Sequence, residues 1–300
     1  MSGGASLPRT LGTEMIRMTV PYACAALGGI WSEKSGVVNI ALEGMLLASA
    51  LAAVVVEVAT GSAVLGLAGA VVTGAALGSL HAWLVRGEVD AIVSGIALNL
   101  VVAGGTRFLL RALYGSSSNS PTVAGFHGLA SGSTSPFALL VDTLTSPLTL
   151  LALVALAVTA FALARTRFGL QLRAAGEDAT AATSLGLDVP RLRALAVTTG
   201  GAIAGVGGAA LALDQHQFQS GMSGGRGFIA LAAVIVSGWR PGRAVLACTA
   251  FALLDATQLV LQGESRASHD VVTALPYVAT LVSLAILGRR KLRPRSAIVG

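Results

Sequence analysis

Residues 194–213 read ALAVTTGGAIAGVGGAALAL, with no charged side chain. A helix over such a stretch is about 30 Å long, which is the thickness of a bilayer's hydrocarbon core. Backbone polar groups in hydrocarbon have to bond within their own segment, so the stretch is read as a membrane-spanning helix. Its small residues, Ala202, Ala204, Gly205, Gly207, Gly208, Ala209 and Ala210, form one run, and small-residue faces let helices approach closely.

Working outward, further apolar spans run at about 15–31, 38–59, 62–85, 91–113, 146–164, 227–238, 244–262 and 271–288. The span at 227–238 is short for a full crossing and reads as a half-helix or re-entrant segment. The fold class is therefore all-α, a polytopic membrane protein with about 8–10 transmembrane helices. Residues 1–14 form an N-terminal tail, 15–290 one transmembrane domain and 291–300 a cytoplasmic tail. Met1–Thr13 lacks a basic region leading into an apolar core, so no cleaved signal peptide is expected.

Composition agrees with this reading. The 300 residues are 54% hydrophobic and 11% charged, with a mean hydropathy of +0.77. A soluble chain of this length has too little interior to hide that much apolar side chain. Net charge is +6, and the basic residues gather at Arg165, Arg167, Arg173, Arg191 and Arg193 and again at Arg289, Arg290, Lys291, Arg293 and Arg295. Both clusters flank apolar spans, which is the positive-inside bias and not the footprint of a nucleic-acid binder. Residues 165–193 and the C-terminal tail are thus expected in the cytoplasm. The stretch 114–145, with Asp142 as its single charge, is expected as an external loop. Counting spans backwards puts the N-terminus outside, whereas Arg9 and Arg17 argue the other way. Cys24 and Cys248 lie in apolar stretches and form no metal or redox motif. His81, His127 and His269 have no metal-ligand companion at helical spacing.

Polar residues inside apolar spans are costly, and so mark either structure or pathway. Asn39 and Glu43 are four apart at the start of one span and are read as sharing a helical face. Glu43 has two readings: it satisfies backbone N–H groups near a helix start, or it lines a pathway. Glu57, Asn99, Asp255 and Gln258 are the other isolated polar groups. Asn99 suits an interhelical hydrogen bond, and Asp255 and Gln258 share a face. The candidate translocation-pathway set is Asn39, Glu43, Asn99, Asp255 and Gln258. The segment Asp214–Ser220 is an external loop rich in donors and acceptors, read as either a contact for a delivered ligand or an ordinary wet loop.

On the expected cytoplasmic side, Gly176 and Gly186 bracket an alanine-rich stretch that starts with Glu177 and Asp178. The acidic pair suits a helix N-terminus and Gly186 its end, which predicts one short helix over 176–188. It has little of its own chain to pack on, so it reads as a docking peg for a partner. The residues assigned to that contact are Arg173, Gly176, Glu177, Asp178, Ala181, Ala182, Leu185 and Gly186. No stretch can form a phosphate-binding loop, since the only lysines are Lys34 and Lys291. Any ATP would be hydrolysed by a partner.

Four motifs in order resemble a known family. Ser35 to Met45 (SGVVNIALEGM) resembles the signature of ABC importer permeases of the branched-chain amino acid and simple sugar group, nearest to the nucleoside and simple-sugar permeases. Leu172–Glu177 (LRAAGE), with Ala181-Ala182 and Leu185-Gly186-Leu187, is similar to that family's cytoplasmic coupling loop, here about 165–193. Gly225–Ile235 (GRGFIALAAVI) and Leu275–Val278 (LPYV) match its C-terminal half. Departures are Asp178-Ala179, where relatives commonly show Asn-Pro, and Ser237–Arg240.

The resemblance implies a permease subunit in a prokaryotic plasma membrane, resembling the smaller of two paired permeases. It implies a second permease, identical or different, a cytoplasmic ABC ATPase dimer that binds the ATP and Mg, and an external binding protein or lipoprotein, all amid membrane lipid. No cofactor or metal is expected on this chain. The implied solute is a nucleoside or simple sugar, with a branched-chain amino acid as the alternative. The competing function is an ion-coupled secondary transporter, for which only Glu57 and Asp255 offer coupling groups. An intramembrane enzyme would need paired catalytic groups at span depth, and none is found.

Overall fold

The computed structural model describes residues 7–126 and 136–262, with side chains from 11 to 126 and from 141 to 257. The predicted span 271–288, the tail 291–300, the Leu275–Val278 motif, His127, His269 and the side chain of Gln258 lie outside the described residues. The helices are α1 (Leu7–Lys34), α2 (Leu42–Thr60), α3 (Ala63–Arg86), α4 (Ala91–Tyr114), α5 (Pro136–Thr145), α6 (Pro147–Arg165), α7 (Arg167–Glu177), α8 (Ala179–Ser184), α9 (Val189–Leu213), α10 (Arg226–Ser237) and α11 (Pro241–Gln262). Five of them, α2, α3, α4, α6 and α9, are long and apolar enough to cross a membrane, among the described residues.

α9 is the axis of the bundle, packed on α1, α2 and α3. Its glycines explain why. A Cβ on Gly200 would lie 2.4 Å from the Gly28 carbonyl oxygen of α1, and one on Gly201 2.3 Å from the Gly74 oxygen of α3. The helices therefore cross backbone against backbone, a closeness that only small residues permit. Away from this axis, Leu100, Val101 and Phe108 of α4 and Phe161 of α6 are exposed, the apolar surface a bilayer would cover.

Two ends of the bundle can be told apart. At the basic end α1 finishes at Lys34, whose carbonyl abuts Gly176, and Arg193 donates to the Ser35 carbonyl. At the opposite end Arg17 of α1 donates to the Asp214 carbonyl just past α9, and the chain from 115 to 126 folds against 213–220.

The stretch 114–145, expected as a loop, holds α5. Pro136 starts it, a residue well suited to a first turn, and the apolar run behind it supplies a face that packs on α1 and α6. The single helix predicted at 176–188 is instead the elbow α7–α8.

Candidate functional site

Two helices begin halfway through the bundle. After α1 the chain turns back without helix from Ser35, and α2 starts only at Leu42. Leu42 and Met45 pack on Ala204 of α9, which at 1.5 Å per residue lies about 22 Å from Val189 and about 14 Å from Leu213. α10 starts at the same depth and has only 12 residues, about 18 Å, so it is a half-helix. The first N–H groups of a buried helix have no intrahelical partner and must find one.

Glu43 supplies it for α10. Its Oε1 accepts from Gly225 N and its Oε2 from Gly227 N, both at 2.8 Å. A carboxylate across a helix N-terminus is favoured by the helix dipole as well as by the two bonds. The approach demands glycine: a Cβ at Gly227 would sit 2.4 Å from Glu43 N, and Gly225 adopts φ +83°. Asn99 of α4 does the same for α2. Its Oδ1 accepts from Gly44 N at 2.8 Å and its Nδ2 donates to the Ile40 carbonyl at 3.0 Å.

Asn39 does not share a helical face with Glu43, because the helix has not begun at residue 39. Fully buried, Asn39 donates from Nδ2 to Ser32 Oγ at 3.2 Å. His81 of α3 is also fully buried and holds the non-helical segment: its Nε2 lies 3.4 Å from the Val38 carbonyl and its Nδ1 3.0 Å from Ser94 Oγ. With a carbonyl facing Nε2, that nitrogen carries the proton and Nδ1 accepts from the Ser94 hydroxyl.

Asp255 of α11 is gathered at the same junction. Its Oδ2 accepts from the Tyr22 hydroxyl at 2.7 Å and lies 3.4 Å from Nη2 of Arg226, the first residue of α10. The Arg226 guanidinium also stands 5.8 Å from the Tyr22 ring centroid, within cation–π range, and its Nη1 donates to the Met222 carbonyl. Glu43 and Asp255 thus meet around residues 225–227, and Asn99 joins from α4 through Gly44, beside Glu43 on α2, so that α1, α2, α4, α10 and α11 are tied together. Glu57 lies apart, near the opposite end, where its Oε1 accepts from Gly125 N at 2.8 Å.

Arg226 is also the floor of a cavity of about 520 Å³ towards the opposite end, walled by Glu14 to Pro21 in the first half of α1, the end of α9 and the segment that follows it. At its rim burial pushes the Asp214 carboxyl up to about 6, while Arg17 and His216 pull it down. The segment Asp214–Ser220 is more than a wet loop. Phe218 is fully buried, its N–H donates to Ser120 Oγ and its carbonyl accepts from Ser120 N.

The elbow at the basic end is built by its caps. The Thr166 hydroxyl accepts from Gly169 N, and Asp178 Oδ1 accepts from Thr180 N and Ala181 N at 2.9 Å, starting α8 as an acidic N-cap should. Gly176 and Glu177 close α7 and do not open α8. Arg173 donates to the Gly169 carbonyl of its own helix. Ala182, read from sequence as part of the peg's surface, is 2% exposed and belongs to the hydrophobic core, because α8 lays that face on its own chain. Ala181 and Gly186 are exposed, and Leu185 is 80% exposed.

One family profile, the branched-chain amino acid transport system permease component, matches residues 13–286. The chain belongs to that family. The permease is 32% identical over 296 residues to the nucleoside ABC transporter permease protein NupC of Lactococcus lactis, covering 94% of this chain and 93% of NupC. It is 30% identical to the guanosine ABC transporter permease protein NupQ of Bacillus subtilis, over 90% and 89% of the two chains. TsgC13 of Haloferax volcanii, provisionally named a glucose ABC transporter permease protein, is 36% identical over 81% of this chain and 75% of its own. The permease is therefore a multi-pass subunit of an ABC importer in a prokaryotic plasma membrane, a transporter component and not an enzyme. Such a permease works with ATPase and substrate-binding partners in general.

Sequence reasoning passed over Arg226 and Tyr22 in the permease's junction. Arg226 carried a usable signal, a charge at the mouth of a half-length apolar helix. Tyr22 carried none, since a tyrosine in an apolar span has no feature that announces an ion pair beside it.

Proposed function

We propose that the basic end faces the cytoplasm and that the permease carries a nucleoside or simple sugar past the α2–α10 junction. In that arrangement Glu43, Asn99 and Asp255 shape the pathway by holding the two half-way helix starts. Asn39 supports them from behind. The solute assignment draws on the names of NupC, NupQ and TsgC13, with a branched-chain amino acid as the alternative. The assembly comprises a second permease, a cytoplasmic ATPase dimer holding ATP and Mg, and an external binding protein. No cofactor is held by this chain.

The observation that carries the coupling half of this reading is Leu185. It stands 80% exposed on an elbow whose other face, Leu172, Ala175 and Ala182, is locked into the core. An apolar knob on a rigid support, at the end of the bundle that also exposes Arg165, Arg167 and Arg191, suits a groove on the ATPase. Burying one leucine is worth about 1.5–3 kcal/mol, so replacing it with a charge should weaken docking by about tenfold or more. Leu185→Arg is expected to leave membrane insertion and permease pairing intact while the ATPase dissociates on purification or stops responding to solute. Full uptake with a firmly held ATPase would overturn the coupling assignment.

A further inference from the structure

The cavity above Arg226 is furnished for a ligand of definite chemistry. The chain bends at Gln217 and Gln219 is bridged to Asn119. Phe218 turns into the core, and Gln217 and Gln219 turn into the cavity, joined by Gln215 from the preceding turn. Gln215 and Gln219 are exposed and Gln217 half-buried, and none of the three side-chain amides is engaged by another described residue, so their donors and acceptors are free to meet a solute in place of solvent. The charges that line the cavity are balanced, Glu14 and Asp214 against Arg17 and Arg226. Arg17 pairs with Glu14 at 3.4 Å, and Arg226 pairs with Asp255. An ion would gain little there. A neutral molecule with many hydroxyls, each able to donate and accept, would satisfy all three amides. No aromatic side chain lines the cavity among the described residues, so it offers nothing for a nucleobase to stack on. Its volume of about 520 Å³ is within the usual range for small-molecule sites.

We propose that this cavity is a solute-binding vestibule, in which Gln215, Gln217 and Gln219 hold the hydroxyls of a sugar or of a nucleoside's ribose above Arg226 before the solute passes the junction. This rests on the nucleoside or sugar reading and locates where on this chain the solute is first held.

The test uses the assembled importer in nanodiscs and the variant Gln217→Cys. Cys24 and Cys248 are both fully buried, so the introduced thiol is the one that a polar thiol reagent should reach. Glucose, guanosine and leucine are the probes. A probe at twice its dissociation constant leaves a third of the sites open, so glucose or guanosine should slow labelling about threefold. Leucine should have no effect, and Thr60→Cys, exposed at the same end but outside the cavity, should label at one rate throughout. Gln219→Cys, on an exposed residue, repeats the test if Gln217→Cys assembles poorly. If the wild-type importer takes up glucose or guanosine and neither slows labelling, the vestibule is overturned and the functional reading stands. If the wild type takes up neither, or leucine alone protects, the functional reading falls and the vestibule with it.

Discussion

A carboxylate halfway through an apolar bundle has to earn its place from donors, and Glu43 finds two backbone N–H groups at 2.8 Å. Each hydrogen bond to a charged group contributes about 1.5–3 kcal/mol, and a buried N–H left without a partner carries its full desolvation cost. Glu43→Ala leaves both α10 donors orphaned. Glu43→Gln keeps one acceptor and turns an NH₂ towards the other donor. The thermal midpoint and membrane yield of the permease should therefore fall in the order wild type, Glu43→Gln, Glu43→Ala, the alanine variant being less stable than wild type by several kcal/mol. An alanine variant as stable as wild type would show that other groups cap α10. The sequence offered two readings for Glu43, a partner for N–H groups near a helix start or a pathway residue. The bonds seen are of the first kind, but to the start of α10, which is 182 residues away in sequence. That distance is why the partner was not legible. The placing of Asn39 beside Glu43 failed for a related reason: nothing in SGVVNIALEGM announces that the helix waits until Leu42.

At the scale of elements, the spans were legible because hydrocarbon allows so few backbone conformations. Those expected at 62–85, 91–113 and 146–164 appear as Ala63–Arg86, Ala91–Tyr114 and Pro147–Arg165. The role of individual glycines was not legible. Gly104 and Gly201 look alike in sequence, each beside another glycine in an apolar run. In the fold a Cβ on Gly104 has open space within 4 Å, whereas one on Gly201 runs into the Gly74 oxygen at 2.3 Å. Gly201→Ala should push α9 off α3 and cost about 1–3 kcal/mol, the usual range for overpacking. Gly104→Ala should be neutral or slightly stabilising, since alanine is the better helix former. Thermal midpoints of the two variants in detergent decide this. Equal midpoints would contradict the close crossing at α9.

At the scale of the whole molecule, the order of spans and the basic flanks carried the architecture, and the half-helix at 226–237 was anticipated from its length alone. What lay hidden was how the non-local pieces close on one another: α10 capped by α2, α2 by α4, and the segment after α9 folded back over a cavity floored by Arg226. A bundle organised around two half-way helix starts, with an apolar knob on a rigid elbow at one end and a polar cavity at the other, is suited to passing motion from an ATPase to a solute path. An ion-coupled carrier would instead draw on Asp255 or Glu57. Asp255 is held by Arg226 and Tyr22, and Glu57 is bonded through Oε1 to Gly125. The most direct measurement is uptake of labelled guanosine and glucose by proteoliposomes holding the complete importer, with its binding protein outside and ATP inside. Accumulation of one of these solutes that requires ATP hydrolysis and persists when ionophores collapse proton and sodium gradients is the expected result. Uptake that runs without ATP and stops when those gradients are collapsed would contradict it.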